Sequence, residues 1–368
     1  MTTTATTPKK RGWKSWLPKA IFTVLGLVAA YFIFAAMGQA LGSFQQGWER
    51  ALSVPTIWLV AIIVASVFAI AVYPLTAMAA IPGLGYGPAF VDRQGGFVIA
   101  TGIPFGGGPI AVGTQYAILA KYDVPQKKAA AAVAADAVWT YLMTFGAPAL
   151  GLIMLEVFER RSLQADECGP VSCHVIDWIC IGAGIVCGVS VVAIAFVLRS
   201  QSNAEAVGRF AEGVVGGVFR FIKKTPPDIV GSVVGFNDTA AEMVGTRWKQ
   251  LTLTNVLAQL SPLLVILAAL WGVGASGVTF IEAFTAYSVA LLATTVPIAP
   301  GALGTVDAVL VALLVAFGAQ SDQALAVDII WRGFTFFPQM IVGACALLFF
   351  FVERRIASRR ALSEQRTA

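Results

Sequence analysis

Long apolar runs separated by short polar stretches dominate the chain. An α-helix needs about 20 apolar residues to cross the hydrocarbon core of a bilayer. Six runs reach that length: Ile21–Leu41, Ile57–Ile81, Ala129–Leu155, Val175–Leu198, Leu251–Val273 and Ala324–Val352. The pattern therefore predicts an all-α integral membrane protein with about six transmembrane helices.

Two further apolar regions are interrupted by proline and glycine. Phe97–Ala120 is broken at Pro104–Pro109, and Phe280–Phe317 is broken at Val296–Asp307. Proline removes a backbone donor and glycine weakens a helix, so the chain should break at both places. Lipid cannot satisfy the freed backbone groups, and each break must therefore lie inside protein or line a wet cavity. Each region is either a full crossing or a hairpin that enters and leaves on one side.

The distribution of Lys and Arg favours re-entrant hairpins. With both hairpins re-entrant and the N-terminus cytoplasmic, 21 of the 25 cationic residues, Arg93 among them, fall on the cytoplasmic side. Arg50, Arg160 and Arg161 fall outside, and Arg332 lies in the membrane. Cytoplasmic loops normally carry this excess of positive charge. We therefore predict a multi-pass protein of the plasma membrane with both termini cytoplasmic.

The amino-acid composition supports the class of integral membrane proteins and indicates which kinds of partner to expect. Only 12% of residues are charged and 58% are hydrophobic, whereas a soluble domain carries about 25% charged residues. The net charge of +5 comes from basic loops and tails, which predicts contact with the anionic cytoplasmic leaflet and no nucleic-acid partner. Cys168 and Cys173 share a polar loop and form a disulfide only if that loop faces an oxidising compartment.

The two halves of the chain resemble each other. Pro104 aligns with Pro297, Gly113-Thr114 with Gly304-Thr305, and Asp136-Ala-Val-Trp139 with Asp328-Ile-Ile-Trp331. By the topology above, the first hairpin opens to the cytoplasm and the second to the outside. The halves are thus predicted to be inverted repeats, which place transport sites where broken helices meet near the bilayer midplane.

The predicted domains follow from this repeat. A basic cytoplasmic tail (1–18) precedes repeat 1 (19–155), an external loop (156–175), repeat 2 (176–352) and a second basic tail (353–368). Between 199 and 249, two apolar stripes at helical spacing cover 207–222 and 229–244. These predict amphipathic helices that lie on the cytoplasmic leaflet or pack beneath the transmembrane bundle.

Four ionisable residues fall within apolar segments: Asp136, Asp307, Asp328 and Arg332. A charge at mid-helix costs about 2.5–3.5 kcal/mol on insertion scales, so such residues are usually paired or face water. Asp328 and Arg332 are four apart and can pair on one helix. That pair either only stabilises the bundle, or Arg332 binds an anionic headgroup while Asp328 holds it in place.

The remaining candidates surround the two breaks. Asp307 follows the second break. Three roles are open for it: capping the half-helix, coupling transport to protons, or contacting a cationic headgroup. Gln115 holds the matching position of the first hairpin, Asp136 lies near the cytoplasmic end of its span, and Glu282 is expected at a solvated boundary. The breaking residues Pro104, Gly113, Pro297, Pro300, Gly301 and Gly304 complete the predicted substrate-binding set.

The stretch Pro297–Asp307, followed by an apolar helix and Trp331-Arg332, resembles the flippase-like transmembrane region of lysylphosphatidylglycerol synthases. The resemblance is best over Trp248–Val352 and weaker over Phe97–Leu155. It implies translocation of a phospholipid or polyprenyl-linked lipid between leaflets, with Arg332 matching the recurrent arginine of the family. Two departures stand out: Gln115 and Tyr116 replace charged residues of relatives, and no aminoacyl-transferring domain follows the last span, so lysyl-lipid synthesis is not expected.

We therefore expect a lipid flippase or transporter rather than an enzyme, with a membrane lipid as substrate and no cofactor. The sequence contains no nucleotide-binding Gly-x-x-x-x-Gly-Lys-Ser/Thr motif, so uphill movement would need an ion gradient or a partner. Two alternatives stay open: a membrane-embedded lipid-modifying transferase, and a non-catalytic partner of an envelope-synthesis complex. Whether the chain forms a homo-oligomer is also open.

Overall fold

The structure, a computed structural model, describes residues 44–103, 107–159, 229–295 and 300–367, with isolated positions between 178 and 209. Within 229–244 and beyond 356 only the backbone is described. Several predictions concern residues outside these ranges: the 1–18 tail, the span Ile21–Leu41, most of Val175–Leu198, the stripe over 207–222, Pro104, Pro297, Cys168 and Cys173.

The ordered elements within the described ranges are helices. In chain order these are α1 (Phe44–Leu52), α2 (Thr56–Val72), α3 (Leu75–Ala80), α4 (Tyr86–Gly102), α5 (Gly107–Lys121), α6 (Gln126–Met154), α7 (Ile229–Gly272), α8 (Phe280–Leu292), α9 (Thr305–Ala316), α10 (Ser321–Trp331) and α11 (Phe337–Thr367). Two π-helical segments, Leu155–Glu159 and Arg332–Phe336, and two short 3₁₀ turns, Ala293–Thr295 and Pro300–Ala302, complete the set.

Four helical stretches are long and apolar enough to cross a bilayer. They are Thr56–Ala80, Gln126–Phe158, Gly245–Gly272 and Ser321–Ile356. These stretches correspond to four of the six predicted spans, and the other two predicted spans lie mostly or wholly outside the described residues. The predicted class, an all-α integral membrane protein, is confirmed.

Both interrupted regions form pairs of short helices packed against each other. In the first pair, α4 has 17 residues and α5 has 15; in the second, α8 has 13 and α9 has 12. At 1.5 Å per residue they measure about 18–26 Å, less than the roughly 30 Å of a hydrocarbon core. Because α4 packs on α5 and α8 on α9, the lengths fit hairpins better than full crossings.

Two predicted boundaries are wrong. The first hairpin begins at Tyr86 rather than Phe97, which brings Arg93 into a buried helix instead of a loop. The stripe over 229–244 is not a separate interfacial helix, because α7 runs unbroken for 44 residues, from Ile229 to Gly272. A helix of that length extends about 66 Å, twice the hydrocarbon thickness, so it must project beyond the membrane.

The largest hydrophobic core lies in the second half of the chain. It joins α7 to α8, α9 and α10, where Ile266, Leu310, Leu314 and Val327 are wholly buried. The last helix, α11, packs instead along α4 of the first hairpin. The packing of α11 on α4 brings the second half of the chain against the first, so the two predicted site regions lie side by side.

Candidate functional site

A buried ion pair connects the second hairpin to the next span. The Nε of Arg332 donates to Oδ1 of Asp307. Asp307 begins the second arm of the hairpin, in the first turn of α9, and Arg332 directly follows α10. Both residues are buried. The hairpin is therefore held to the bundle by charge as well as by apolar packing.

Other contacts orient the same guanidinium. Its Nη1 donates to the carbonyl of Gly301 at 3.4 Å. Its Cζ lies 4.8 Å from the ring centroid of Trp331 and 5.6 Å from that of Phe336, which is within the range of cation–π attraction. Its Nη2, although buried, has no hydrogen-bond partner among the described residues. Arg332 is thus held in place with one donor left unused.

The carboxyl group of Asp328 completes the cluster. It is 1% exposed and in side-chain hydrogen-bond contact with the carboxyl of Asp307. Its Oδ1 and the Nε1 of Trp331 are both buried without a partner in the described part of the chain. The ion pair suggested by sequence spacing, Asp328 with Arg332, is not the one that forms, because Arg332 turns to Asp307 across the interhelical contact.

A π-helical segment begins at this arginine. Residues Arg332–Phe336 form it, and the amide of Phe337 donates to the carbonyl of Arg332, five residues back. The wider turn changes the direction of side chains that follow it, and such bulges are frequent at functional sites. On α2, the hydroxyl of Ser66 donates to the carbonyl of Phe334 within the bulge. A neighbouring helix thus satisfies backbone that lipid could not.

The break in the second hairpin depends on left-handed backbone. Gly301 has φ +61° and Gly304 has φ +88°, conformations in which a side chain is strained. A Cβ on Gly301 would lie 2.3 Å from the ring of Phe336. The amide of Gly304 donates to Oδ2 of Asp307 at 2.5 Å. Asp307 therefore caps its helix with one oxygen and binds Arg332 with the other, so the capping interpretation of Asp307 holds beside its part in the cluster.

A second buried cluster surrounds the first hairpin. Nη2 of Arg93, on α4, lies 2.5 Å from Oδ1 of Asp136, on α6. The guanidinium of Arg93 also lies 5.9 Å from the ring centroid of Tyr73. Beside this ion pair, the carboxyl of Asp92 is in side-chain hydrogen-bond contact with Gln115 of α5. Asp136 and Gln115 thus belong to one cluster, joined through Asp92 and Arg93, two residues that the sequence analysis had not selected.

Asp92, Arg93 and Gln94 were missed as membrane-embedded residues. All three are buried, and each keeps a buried atom without a partner among the described residues: Asp92 Oδ1, Arg93 Nε and Gln94 Oε1. A signal was present in the sequence, since these three polar residues stand between apolar residues on both sides. This signal was overlooked because Arg93 was counted as a cation of a cytoplasmic loop. Without Arg93, 20 of the 21 cationic residues still fall on the cytoplasmic side, so the predicted topology does not change.

Ring contacts connect the two clusters. The ring of Tyr73, against Arg93, meets Phe97 edge-on at 6.5 Å between centroids. Phe97 in turn meets Phe336 at 6.4 Å, and Phe336 lies against Arg332. We call Tyr73, Phe97 and Phe336 the aromatic bridge. Through it the two hairpins share one continuous set of contacts.

Three further candidates lie apart from the clusters or differ from expectation. Gly113 is exposed on α5, and no other atom would lie within 4 Å of a Cβ there. Pro300 begins the 3₁₀ turn at the break, where only its backbone is described. Glu282 is buried rather than solvated, because it forms a capping box with Thr279 at the start of α8.

The chemistry available in the second cluster is that of anion recognition. Among the described residues, Nη2 of Arg332 and Nε1 of Trp331 are donors without a partner, and they stand on neighbouring residues. A guanidinium offers a planar fork of donors that suits a phosphate, and the nearby Asp328 oxygen is an unpaired acceptor. The cluster thus offers two donors and one acidic group to a ligand that carries negative charge.

Comparison with known proteins agrees with these features. A search of the curated proteins gave no match. The family model of the lysylphosphatidylglycerol synthase TM region matches residues 94–343. The match covers both hairpins from Gln94 onward, the Asp307–Arg332 ion pair and Asp136. The chain is therefore a multi-pass membrane protein that belongs to the lysylphosphatidylglycerol synthase transmembrane family.

Proposed function

We propose that this chain moves a phospholipid or polyprenyl-linked lipid between the leaflets of the plasma membrane, and that it is a transporter rather than an enzyme. Arg332 would bind the phosphate of the headgroup while the acyl or prenyl tails stay in lipid. The termini are then cytoplasmic, as the distribution of basic residues predicts. Family membership and the two broken hairpins support this proposal.

The unused donor on Arg332 is the observation that carries the proposal. A buried donor without a partner costs about 1–3 kcal/mol, and more when charged, so its presence calls for an explanation, and a bound ligand is one that fits a transport site. Within the described part of the chain, Nη2 of Arg332 and Nε1 of Trp331 are two such donors. Because Asp307 and Gly301 already hold the guanidinium, the headgroup meets a preoriented group.

The cluster is closed in this conformation. Asp307 is 0% exposed and Arg332 is 8% exposed, so a headgroup enters only after the surrounding helices separate. One contact that would have to open is that between Phe97 of the first hairpin and Phe336 of the π-helical segment before α11. Movement of a lipid would thus require the first hairpin and the start of α11 to part.

The test is lipid exchange in reconstituted vesicles. Fluorescent phosphatidylglycerol is compared with a fluorescent lipid that lacks phosphate, and the label in the outer leaflet is quenched chemically. Trp331→Phe keeps an aromatic side chain but removes the unused donor, so it should slow exchange of the phospholipid at matched folded protein. Its matched control is Trp139→Phe at the repeat-equivalent position, where Nε1 donates to Thr252. Both changes lose the same volume from a buried ring, but the control also loses a hydrogen bond, so it should be less stable than Trp331→Phe by about 0.5–1.5 kcal/mol without slowing exchange at matched folded protein.

Arg332→Gln provides the stronger test. Losing hydrogen bonds to a charged group costs about 1.5–3 kcal/mol, so exchange should fall about ten- to a hundredfold. Arg50→Gln is the control, since Arg50 is paired with Asp322 at the far end of α10. Equal exchange in protein-containing and empty vesicles for every lipid tried would overturn the transport proposal. A chemically altered lipid, detected by mass spectrometry, would favour the transferase alternative instead.

A further inference from the structure

The second cluster contains one more acid than base. Its carboxyl groups, Asp307 and Asp328, are 0% and 1% exposed and in side-chain hydrogen-bond contact. One guanidinium, Arg332, can neutralise only one carboxylate. A hydrogen bond between two carboxyl oxygens needs a proton on one of them, and two buried carboxylates in contact repel strongly. The geometry therefore calls for a bound proton.

No other described charge relieves this excess. On the elements packed around α10, the titratable groups are those of α1, α7, α8 and α9 together with Arg332. Arg50 of α1 is paired with Asp322 at the other end of α10, and Glu49 accepts from Gln45. On α7, Arg247 donates to the carbonyl of Ala79 and Lys249 lies over the ring of Trp248. On α8, Glu282 caps its own helix and Tyr287 donates to the carbonyl of Gln259. The charged groups acting on Asp328 are Asp307 and Arg332.

We propose that Asp328 holds a proton against the carboxylate of Asp307, and that this proton is the co-substrate that moves with an anionic headgroup bound at Arg332. This inference rests on the proposed transport function and adds its driving force. When the carboxyl groups separate, the proton passes from a carboxyl oxygen to water on the side to which the site has opened. Nothing else is consumed.

Charge balance links the two ligands. With the proton bound, the two acids and Arg332 sum to zero, and a headgroup with one negative charge brings the site to −1. Without the proton the same occupied site would carry −2. Each ligand therefore favours the other, and this coupling is reciprocal. A proton and a singly charged lipid also move together without net charge transfer.

Electroneutrality gives the test. Vesicles with purified full-length protein and fluorescent phosphatidylglycerol, which carries one negative charge, receive either a pH difference or a potassium diffusion potential. Wild-type protein should enrich the lipid in the leaflet facing the alkaline side by about tenfold per pH unit, since one unit is worth 1.36 kcal/mol per proton. A membrane potential alone should leave the distribution unchanged.

In the variant Asp328→Asn, the responses of the lipid distribution to the pH difference and to the membrane potential should be reversed. It cannot exchange the proton, so the lipid distribution should ignore the pH difference and respond to the potential. Asp322→Asn, which makes the same change at the other end of α10 outside the cluster, should behave like wild type. Infrared difference spectra should also contain a protonated-carboxyl band in wild type that Asp328→Asn removes and Asp322→Asn retains.

The outcomes separate the two proposals. If vesicles with protein exchange lipid no faster than empty ones, the transport function itself fails. If wild-type exchange is fast but follows the potential and ignores the pH difference, transport stands and the proton site is refuted. Absence of the carboxyl band from the wild-type spectrum would also refute it.

Discussion

Adding one methyl group at Gly343 should destabilise the protein more than the same change at two nearby glycines. Gly343 lies in α11 where that helix crosses α4 of the first hairpin. A Cβ there would come within 2.3 Å of both the carbonyl oxygen of Gln94 and Cγ2 of Val98. Backbone cannot rotate away, so Gly343→Ala must push the two helices apart.

The magnitude follows from the size of the overlap. Ordinary contact begins near 3.4 Å, so the helices would have to separate by about 1 Å, and overpacking of this kind costs about 1–3 kcal/mol. At Gly95 the nearest atom is Cδ2 of Leu347 at 2.7 Å, the end of a flexible side chain. At Gly333 a Cβ would meet nothing within 4 Å, and alanine should stabilise the helix by up to about 1 kcal/mol.

The expected order of stability is therefore Gly333→Ala above wild type, then Gly95→Ala, then Gly343→Ala. Unfolding by sodium dodecyl sulfate in mixed micelles, followed by tryptophan fluorescence, measures it. Because α4 carries Arg93, Gly343→Ala should also slow lipid exchange at matched folded protein. Equal stability of Gly343→Ala and Gly333→Ala would refute the close approach of α11 to α4.

Two further substitutions test the hairpins. Gly301→Ala should cost about 1–3 kcal/mol more than Gly318→Ala, because both glycines have positive φ but only Gly301 would drive a Cβ into Phe336; equal costs by the same unfolding assay would contradict this. Asp136→Asn should cost about 3–5 kcal/mol by removing the carboxylate that pairs with the buried Arg93, and adding Arg93→Met should recover part of that loss; strict additivity of the two changes would argue against the ion pair.

The second hairpin was predictable because the residues that break its helix are visible in the sequence. Pro297, Pro300, Gly301 and Gly304 can hardly continue a helix, and an acid soon after the break is a natural cap. The partner of Arg332 was not predictable by the same reasoning. Sequence spacing reports only neighbours on one helix, whereas the contact that forms depends on how the second hairpin packs against the end of α10.

The first hairpin shows a different limit. Charge counting assigns each cation near a span boundary to a loop. The summed charge of the loops predicts the topology, but the rule does not establish that any single cation lies in a loop. Arg93 is the exception because Asp136 and Tyr73 supply a buried counter-ion and a ring face. Likewise, the apolar stripe over 229–244 fits a surface helix and a helix extension equally well.

The two clusters have the same composition of charge. Around the first hairpin, Arg93 lies with Asp92 and Asp136, and around the second, Arg332 lies with Asp307 and Asp328. In each, one ion pair joins a hairpin to the following span, but the arginine belongs to the hairpin in the first half and to the span in the second.

Neither half copies the other residue by residue, yet both provide one guanidinium and two carboxyl groups in a buried setting. The aromatic bridge lies between these two sets, so their charged groups are joined through uncharged rings. On the proposed function, a headgroup that leaves one guanidinium meets an equivalent one beyond the bridge.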